Sequence, residues 1–406
     1  MPNQASDHPA ADALIKIEDE FGAHNYDPID VVLASGAGIW VTDVEGATYI
    51  DALSAYSSLN LGHRHPRILA ALTEQAKRLT ITSRAFRNDQ LPLFCEELAT
   101  LCGLDVVLPM NTGTEAVETA IKAARRWGTR VKKIKEPKIV VCENNFHGRS
   151  TTIIGFSSDE SYRRDFGPFT PGFVSIPYDD IAALERALTD DVCAFLVEPI
   201  QAEAGIIVPK TGYIRDAAKL CKDRGILFVA DEIQTGLART GKMFACDYDD
   251  VKPDVLILGK ALGGGVYPVS AIVGTREVMS MFDPGSHGST WGGNPLGCAI
   301  AREALRVIVD ENLAQAATER GDQLTYELAD MRSRNIVEIR GQGLLLGVEL
   351  KVPARKYCEA LAKAGVLTKE THSHVIRICP PLIIDEEDVE ELAERIAVGF
   401  ANAESA

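Results

Sequence analysis

The sequence predicts an α/β protein whose main sheet is largely parallel, joined to a smaller α+β domain. Beyond about residue 100, short apolar runs bounded by turn residues alternate with segments of helical periodicity. Strands that alternate with helices form βα units, which place their strands in parallel. The two chain ends show hairpins, strands and helices in a less regular order. A chain of 406 residues is also long enough for two domains.

The predicted strands of the large sheet are the runs VVLPM, KIVVCE, AFLVEP, ILFVADE and DVLILGK, at 106–110, 138–143, 194–199, 226–232 and 254–260. Helical periodicity connects them, as in AVETAIKAARRWG at 116–128 and IRDAAKLCKDR at 214–224. Ligands of such sheets bind beyond the carboxyl ends of the strands. Functional residues are therefore expected directly after the apolar runs.

The chain ends predict the second domain. Residues 39–53 alternate around a glycine-containing turn at 43–46 and predict a β-hairpin. The C-terminal part predicts helices at 313–331, at 354–364 and from 386 onwards, with strands IVEIRG, GLLLGVEL and VIRIC. We therefore expect an N-terminal segment 1–56 that joins the small domain, a large domain 57–312 and a C-terminal small domain 313–406.

Composition and charge exclude several functional classes. The chain has 58 acidic residues against 42 Lys and Arg, a formal net charge of −16, which disfavours nucleic acids and anionic membranes as partners. The first residues lack the basic start and apolar core of a signal peptide, so a soluble cytoplasmic protein is expected. Nine scattered cysteines without a C-x-x-C pair are expected to be free thiols.

Lys260 is the first candidate for chemistry. It follows the apolar run 255–259 and precedes small and glycine residues at 261–265, which let a ligand approach the backbone. A lysine amine has a reference pKa of about 10.4 and attacks a carbonyl only when burial or a nearby cation lowers that pKa. Lys260 is therefore a candidate for Schiff-base formation. The alternative is a side chain that bends back to water at the sheet edge.

Residues 111–128, NTGTEAVETAIKAARRWG, predict a helix that begins just after the first of these strands. Thr112 and Glu115 have the spacing of a capping box. The amides of Gly113 and Thr114 would then point out of the positive end of the helix dipole, beside a hydroxyl group, as in phosphate-binding sites. A plain helix cap is the alternative.

Asp231 is the third candidate, because it ends a predicted buried strand. Its carboxylate could cap a helix, ligate a metal or face a protonated ring nitrogen. The three candidates together favour the last role. A Schiff-base lysine, a phosphate-binding helix start and a buried acid, all at carboxyl ends of strands, are the contacts that pyridoxal phosphate requires.

Longer stretches point to one family. They include HNYDPIDVVLASGAGIWVTDVEG, SAYSSLNLGHRHPRI, LPMNTGTEAVETA, VEPIQAEAG, VADEIQTGLARTG, LGKALGGGVYPVSA, HGSTWGGNPLG and RGQGLLLGVEL. Through them the sequence, from about residue 24 to its end, resembles the class III, fold-type I pyridoxal-phosphate-dependent aminotransferases, and among these the members that act on ω-amino groups. The resemblance implies a large domain with a mainly parallel seven-stranded sheet flanked by helices, and a smaller α+β domain built from both chain ends.

The resemblance also implies roles for single residues. Lys260 would be the catalytic residue that bonds covalently to pyridoxal 5'-phosphate, with Asp231 at the ring nitrogen and Thr290 reaching the phosphate from the other subunit of a homodimer. The implied cofactor-binding residues are Gly113, Thr114, Phe146, His147, Asp231, Gln234, Lys260 and Thr290. Two positions depart from the family pattern: His147 stands where some members carry Trp, and Ala202 where Gly is usual.

On the substrate side the implied residues are Tyr26, Tyr56, Arg149, Glu198, Glu203 and Arg377. Arg377 is also a candidate on physical grounds, since it interrupts the apolar run VIRIC, where a carboxylate partner would compensate burial of a guanidinium. The alternative is an outward-facing residue on an edge strand. From the family we expect Glu203 to neutralise Arg377 while ornithine is bound and to release it for an oxo acid.

The implied activity is transfer of the side-chain (δ) amino group of L-ornithine to 2-oxoglutarate. The products would be glutamate 5-semialdehyde, which cyclises to pyrroline-5-carboxylate, and glutamate, in a ping-pong reaction within arginine metabolism and proline biosynthesis. N-acetylornithine, γ-aminobutyrate and lysine stay open as alternative amino donors, because a sequence does not give the size of a pocket. Assembly beyond the dimer also stays open.

Other cofactor classes are disfavoured. The glycines at 341–347 are spaced G-x-G-x-x-x-G, which misses the dinucleotide fingerprint by one residue. The pairs His63 with His65 and His372 with His374 lack an evident third ligand, so no metal site is expected.

Overall fold

A computed structural model describes residues 9–331 and 333–405 of the protein. Its strands are β1 Leu33–Ala37, β2 Trp40–Asp43, β3 Thr48–Asp51, β4 Val106–Met110, β5 Lys138–Cys142, β6 Phe173–Ile176, β7 Val192–Val197, β8 Leu227–Asp231, β9 Val255–Leu258, β10 Ser270–Gly274, β11 Ile336–Gln342, β12 Leu345–Leu350, β13 Val366–Leu367, β14 Glu370–Thr371 and β15 Val375–Ile378. Its helices are α1 Pro9–Phe21, α2 Ser54–Ser57 (one left-handed turn), α3 Pro66–Ala76, α4 Leu91–Cys102, α5 Gly113–Arg130, α6 Thr151–Ile154, α7 Glu160–Arg163, α8 Ile181–Ala187, α9 Tyr213–Asp223, α10 Arg276–Met279, α11 Pro295–Asp310, α12 Leu313–Asp330, α13 Arg355–Lys363 and α14 Glu386–Ser405.

The large sheet has seven strands in the order β4-β10-β9-β8-β7-β5-β6. The pairs from β9 through β6 are parallel, whereas β10 runs antiparallel to both of its neighbours. Strands β7, β8, β9 and β10 are buried at every residue, as the unbroken apolar runs of a doubly covered parallel sheet require. The prediction of a mainly parallel seven-stranded sheet is confirmed.

Helix α5 covers one face of this sheet and fixes the edge where the site forms. Its apolar stripe includes Val117, Ala120, Ile121 and Ala124, all buried against β7, β9 and β10. The predicted capping box is present, because the Thr112 hydroxyl accepts from the Glu115 amide while the Glu115 carboxylate accepts from the Thr112 amide. The helix therefore begins where the sequence predicts, at the carboxyl end of β4.

Two smaller four-stranded sheets involve the chain ends. The first has the order β1-β2-β3-β13, in which β13 from the C-terminal part pairs in parallel with β3 from the N-terminal hairpin. The second, β11-β12-β15-β14, is antiparallel throughout. Helices α13 and α14 pack on each other beside these sheets. A smaller α+β unit built from both chain ends is thus confirmed, while its boundaries at 56 and 312 stay predictions.

Further sequence-based expectations concern cysteines and membranes. All nine cysteines are free thiols, and only Cys95 among them is not fully buried. None of the helices within 9–331 and 333–405 is both long and apolar enough to cross a membrane.

Candidate active site

A cavity of about 420 Å³ opens at the carboxyl ends of the parallel strands. Most of the predicted functional residues line it, although they come from distant parts of the sequence: Tyr26, Tyr56, Gly113, Thr114, Phe146, His147, Arg149, Glu198, Glu203, Asp231, Gln234 and Lys260. Arg377 joins them through its ion pair with Glu203. Thr290 is exposed and does not line this cavity. A residue that reaches the site of a second subunit would need such an exposed position.

Lys260 points into the cavity. Strand β9 ends at Leu258, and Lys260 begins a short 3₁₀ turn with a φ of 44°, in the left-handed region that non-glycine residues seldom adopt. Its Nζ hydrogen-bonds the Gln234 Oε1. Burial lowers the pKa of Lys260 to about 8, and the positive charge of Arg377 adds to this effect. The expected interior amine is therefore favoured over a side chain that bends back to water.

The start of α5 forms one corner of the cavity, at the positive end of the helix dipole. Gly113 and Thr114 line it, and the Thr112–Glu115 capping box satisfies the neighbouring amides, so the cap and a phosphate site are compatible. Gly148 lies against this corner with a φ of 123°, and a Cβ at that position would stand 2.4 Å from the Thr114 hydroxyl. Glycine is therefore required there to keep the corner open.

Asp231 ends β8 and lines the cavity. One of its oxygens accepts the Ile233 amide at 3.1 Å within the turn that follows β8, where no helix begins, so this bond is not the helix cap that the sequence left open. The other is 2.6 Å from the His147 Nδ1, and both side chains are nearly inaccessible to solvent. Burial alone would lower the pKa of His147, but the hydrogen bond to Asp231 and its charge outweigh that effect and raise it. Sequence reasoning placed His147 at the cofactor and missed this bond, which joins residues 84 positions apart.

Glu203 and Arg377 form a bidentate ion pair. The two hydrogen bonds measure 2.9 and 2.8 Å, and the Arg377 side chain is 1% exposed. Burial would raise the pKa of Glu203, but the attraction and hydrogen bonds of Arg377 lower it. Arg377 also lies 5.2 Å from the ring centroid of Tyr56. Because β15 lies between β12 and β14, the alternative of an edge strand is wrong.

The remaining predicted substrate residues lie around this pair. Tyr26 is 67% exposed at the mouth of the cavity. The Arg149 guanidinium stacks 4.4 Å from the ring centroid of Tyr162. Glu198 is buried and accepts the Phe146 amide at 2.9 Å, and no cationic side chain among the described residues hydrogen-bonds it. Burial raises the pKa of Glu198 to about 8.

The histidine pairs do not converge on a metal site. His63 bonds Asp51 at 2.8 Å, whereas its neighbour His65 bonds Glu311 at 3.2 Å, in a different direction. Within the described ranges no group of three or more His, Cys, Asp or Glu side chains is arranged to hold a metal ion.

The cavity fits pyridoxal phosphate. A phosphate suits the start of α5, and the Asp231 carboxylate suits a protonated ring nitrogen. Two buried donors or acceptors beside it, His147 Nε2 and Gln234 Nε2, have no hydrogen-bond partner within the described parts of the chain. Buried polar atoms without partners are rare in folded proteins, so a polar ligand is expected to satisfy them.

Comparison with known proteins identifies the family. The sequence profile named aminotransferase class-III matches residues 21–398. An ornithine aminotransferase of Brevibacillus brevis is 55% identical over 385 residues, covering 94% of this chain and 96% of that protein. The structure of the ornithine aminotransferase from Toxoplasma gondii, described with partial occupancy of PLP at its active site, superimposes with a TM-score of 0.96 at 45% identity, covering 97% of this chain and 95% of that one.

A structure of an acetylornithine aminotransferase from Elizabethkingia anophelis superimposes with a TM-score of 0.89 at 46% identity, covering 97% of this chain and 99% of that one. Both substrate names therefore occur among similar structures, although the curated relatives at 52–55% identity carry the ornithine name. The chain belongs to the class III aminotransferase family and is a pyridoxal-phosphate-dependent transaminase.

Proposed function

We propose that the protein transfers the δ-amino group of L-ornithine to 2-oxoglutarate, forming glutamate 5-semialdehyde and glutamate. The observation that carries this proposal is the Glu203–Arg377 pair at the wall of the cavity. An enzyme that alternates between ornithine and a dicarboxylate needs a cation that it can cover for one substrate and uncover for the other. The names of the curated relatives support the same substrate.

The cofactor, when bound, supplies an aldehyde that receives the amino group and a ring that withdraws electrons. In this proposal Gly113 and Thr114 hold its phosphate at the start of α5, and Asp231 keeps a proton on the ring nitrogen. His147 orients Asp231 through the bond to its Oδ2. Gln234 accepts from the Lys260 Nζ through its Oε1 and would turn its amide Nε2, a donor, to the ring hydroxyl. Phe146 would stack on the ring.

Lys260 would move the proton. With a pKa of about 8, roughly one Lys260 amine in ten carries a free electron pair at pH 7, far more than at the ordinary lysine pKa. The Nζ then removes the proton from the substrate carbon that bears the amino group, as a general base. The lysine is thus held partly buried because water would keep its amine protonated.

Charged residues on the substrate side of the cavity would bind the carboxylates of the two substrates. Tyr26 and Arg149 would bind the α-carboxylate of ornithine while Glu203 compensates the positive charge of Arg377. For glutamate or 2-oxoglutarate, Glu203 would turn away and Arg377 would take the α-carboxylate, with Arg149 on the distal one. Tyr56 lies against Arg377 and limits the space beside it.

We also infer that the protein forms a homodimer, and we infer its cellular location and metabolic role. Thr290 is exposed beside the exposed Trp291 and is suited to reach the phosphate of a partner subunit in a homodimer. The same proposal includes domain boundaries at 56/57 and 312/313. It also includes a cytoplasmic location and a place in arginine metabolism and proline biosynthesis.

The decisive experiment mixes the cofactor-loaded protein, without any oxo acid, with L-ornithine, N-acetylornithine, γ-aminobutyrate or lysine in turn. We expect the cofactor spectrum to change fast to the amino form with ornithine and at least about a hundredfold more slowly with the others. A faster change with N-acetylornithine would assign the acetylornithine activity instead, which the similar structure with that name makes the second candidate.

A further inference from the structure

The turn that carries Glu203 is held in an unusual backbone conformation. Residues 201 and 207 close it with reciprocal hydrogen bonds of 3.1 and 2.9 Å between their main chains. Inside it, Ile206 is fully buried with a φ of 56°, which is a genuine outlier for a β-branched residue. Such strain persists only where surrounding contacts impose it, and it tends to lie at functional sites.

Arg340 of β11 supplies the first of these contacts. Its Nε donates to the carbonyls of Gly205 and Ile206 at 3.0 and 3.1 Å, and its second terminal nitrogen donates to Gly205 at 2.7 Å. The other terminal nitrogen is fixed by the carboxylates of Glu338 and Glu349. The guanidinium is thus fully engaged, and its side chain is only 13% exposed.

Thr371 of β14 supplies the second contact. Its hydroxyl donates to the carbonyl of Glu203 itself at 2.6 Å, and the residue is buried. Arg340, Thr371 and Arg377 all belong to one sheet, β11-β12-β15-β14. That sheet therefore carries the cation and also fixes the turn that carries the cation's partner.

We propose that Arg340 and Thr371 are positioning residues that hold the Glu203 turn so that its carboxylate covers Arg377, and that they thereby set the preference between ω-amino and dicarboxylate substrates. With the backbone held, only the Glu203 side chain has to rotate when a dicarboxylate arrives. Without the clamp, the turn relaxes from the left-handed conformation and carries Glu203 away from Arg377. The uncovered guanidinium then binds the α-carboxylate of an ornithine-like amine unproductively.

This inference rests on the proposed function, and the test separates the two. Wild-type rates with ornithine and with glutamate in separate half-reactions test the function, whereas variant-to-wild-type ratios test the clamp. For Arg340→Met we expect kcat/KM in the ω-amine half-reaction to fall about tenfold or more, whereas kcat/KM in the glutamate half-reaction should not fall and should rise by up to about tenfold. Thr371→Val should lower the ratio of kcat/KM in the ω-amine half-reaction to kcat/KM in the glutamate half-reaction as well, by a smaller factor. If another ω-amine replaces ornithine, the same ratio is measured with that amine.

A binding measurement avoids chemistry altogether. Glutarate has two carboxylates but neither an amino nor an oxo group, so calorimetric titration reports only how well Arg377 is covered. Its affinity should rise about tenfold in Arg340→Met, because Glu203 no longer competes for the guanidinium. Arg395→Met is the matched control, since Arg395 also donates to a loop carbonyl, Gly365, and to a carboxylate, Glu391, on a helix away from the cavity. Arg395→Met should change neither the ratio of the two half-reactions nor the affinity for glutarate.

Equal losses in both half-reactions, with unchanged glutarate affinity, would overturn the proposal and make Arg340 a purely structural residue. If Arg340→Met does not fold, the Thr371→Val variant decides. An unchanged half-reaction ratio in that variant would then refute the clamp.

Discussion

Removal of the Glu203 carboxylate in Glu203→Ala would show how much of the substrate preference depends on the ion pair with Arg377. Loss of one member of a buried pair typically costs about 3 to 5 kcal/mol, because the other charge stays buried and unpaired. Arg377 is 1% exposed but Glu203 is 22% exposed, so water compensates part of the loss. We therefore expect a smaller loss of about 2 to 3 kcal/mol here, just below that range.

This free energy is what a competing carboxylate must overcome to reach Arg377. Removal of the Glu203 carboxylate should therefore strengthen binding of glutamate by up to about 30- to 100-fold, since 1.4 kcal/mol corresponds to a factor of ten. The ornithine half-reaction should slow by a similar factor, because the open guanidinium binds the ornithine α-carboxylate and turns the δ-amine away from Lys260. Rapid-mixing spectroscopy of each half-reaction, at several substrate concentrations, gives both values.

A matched control is Glu391→Ala, which breaks the Glu391–Arg395 pair on α14, where both side chains are partly exposed. Surface pairs contribute at most about 1 kcal/mol, so neither half-reaction should change. If Glu203→Ala slowed both half-reactions by one common factor, or weakened glutamate binding, Glu203 would not be covering Arg377 and the reasoning would be wrong.

Three further predictions follow from other parts of the site. Lys260→Ala should lower transamination by about ten-thousandfold, and borohydride treatment followed by mass spectrometry should no longer find cofactor attached to the chain. Burial raises the pKa of Glu198 to about 8, so the folded protein binds a proton that the unfolded chain releases above about pH 4.5, and stability is lost as pH rises towards 8. Glu198→Gln should therefore stabilise the protein relative to wild type at pH 9 and not at pH 4, as measured by urea unfolding. Arg239 is fully buried and donates to Asn60 and to the carbonyls of Leu344 and Pro380, so Arg239→Met should lower the unfolding free energy by about 2 to 4 kcal/mol in the same assay.

The large sheet was predictable where its strands are apolar and bounded by turns. The missed strands β6 and β10, FVSI and SAIVG, are short and contain serine, so composition alone does not separate them from loops. The antiparallel direction of β10 could not be predicted either, because the direction of a strand depends on the chain segment that connects it to its neighbour and not on the residues of the strand itself. Strand β13 has only two residues and forms because α13 brings it beside β3.

Sequence reasoning also found residues that follow strands or begin a helix, since position along the chain defines them. It could not find contacts between distant loops. The hydrogen bond between His147 and Asp231 and the clamp of Arg340 on Gly205 each depend on how two distant chain segments meet. A strained residue such as Ile206 is equally invisible, because isoleucine at that position would suggest a strand.

The charges around Lys260 bear on whether the proposed opening of the Glu203–Arg377 pair would disable the proposed base. Burial lowers the pKa of Lys260; Glu203 opposes this effect and Arg377 adds to it. If Glu203 simply left, the uncompensated Arg377 would push the amine's pKa still lower. In the proposed reaction, however, the carboxylate of glutamate would take the place of Glu203 on Arg377 when Glu203 turns away. One carboxylate would then pair with Arg377 in each half-reaction, so Lys260 would experience nearly the same local charge with both substrates, and one lysine could serve as the base for both.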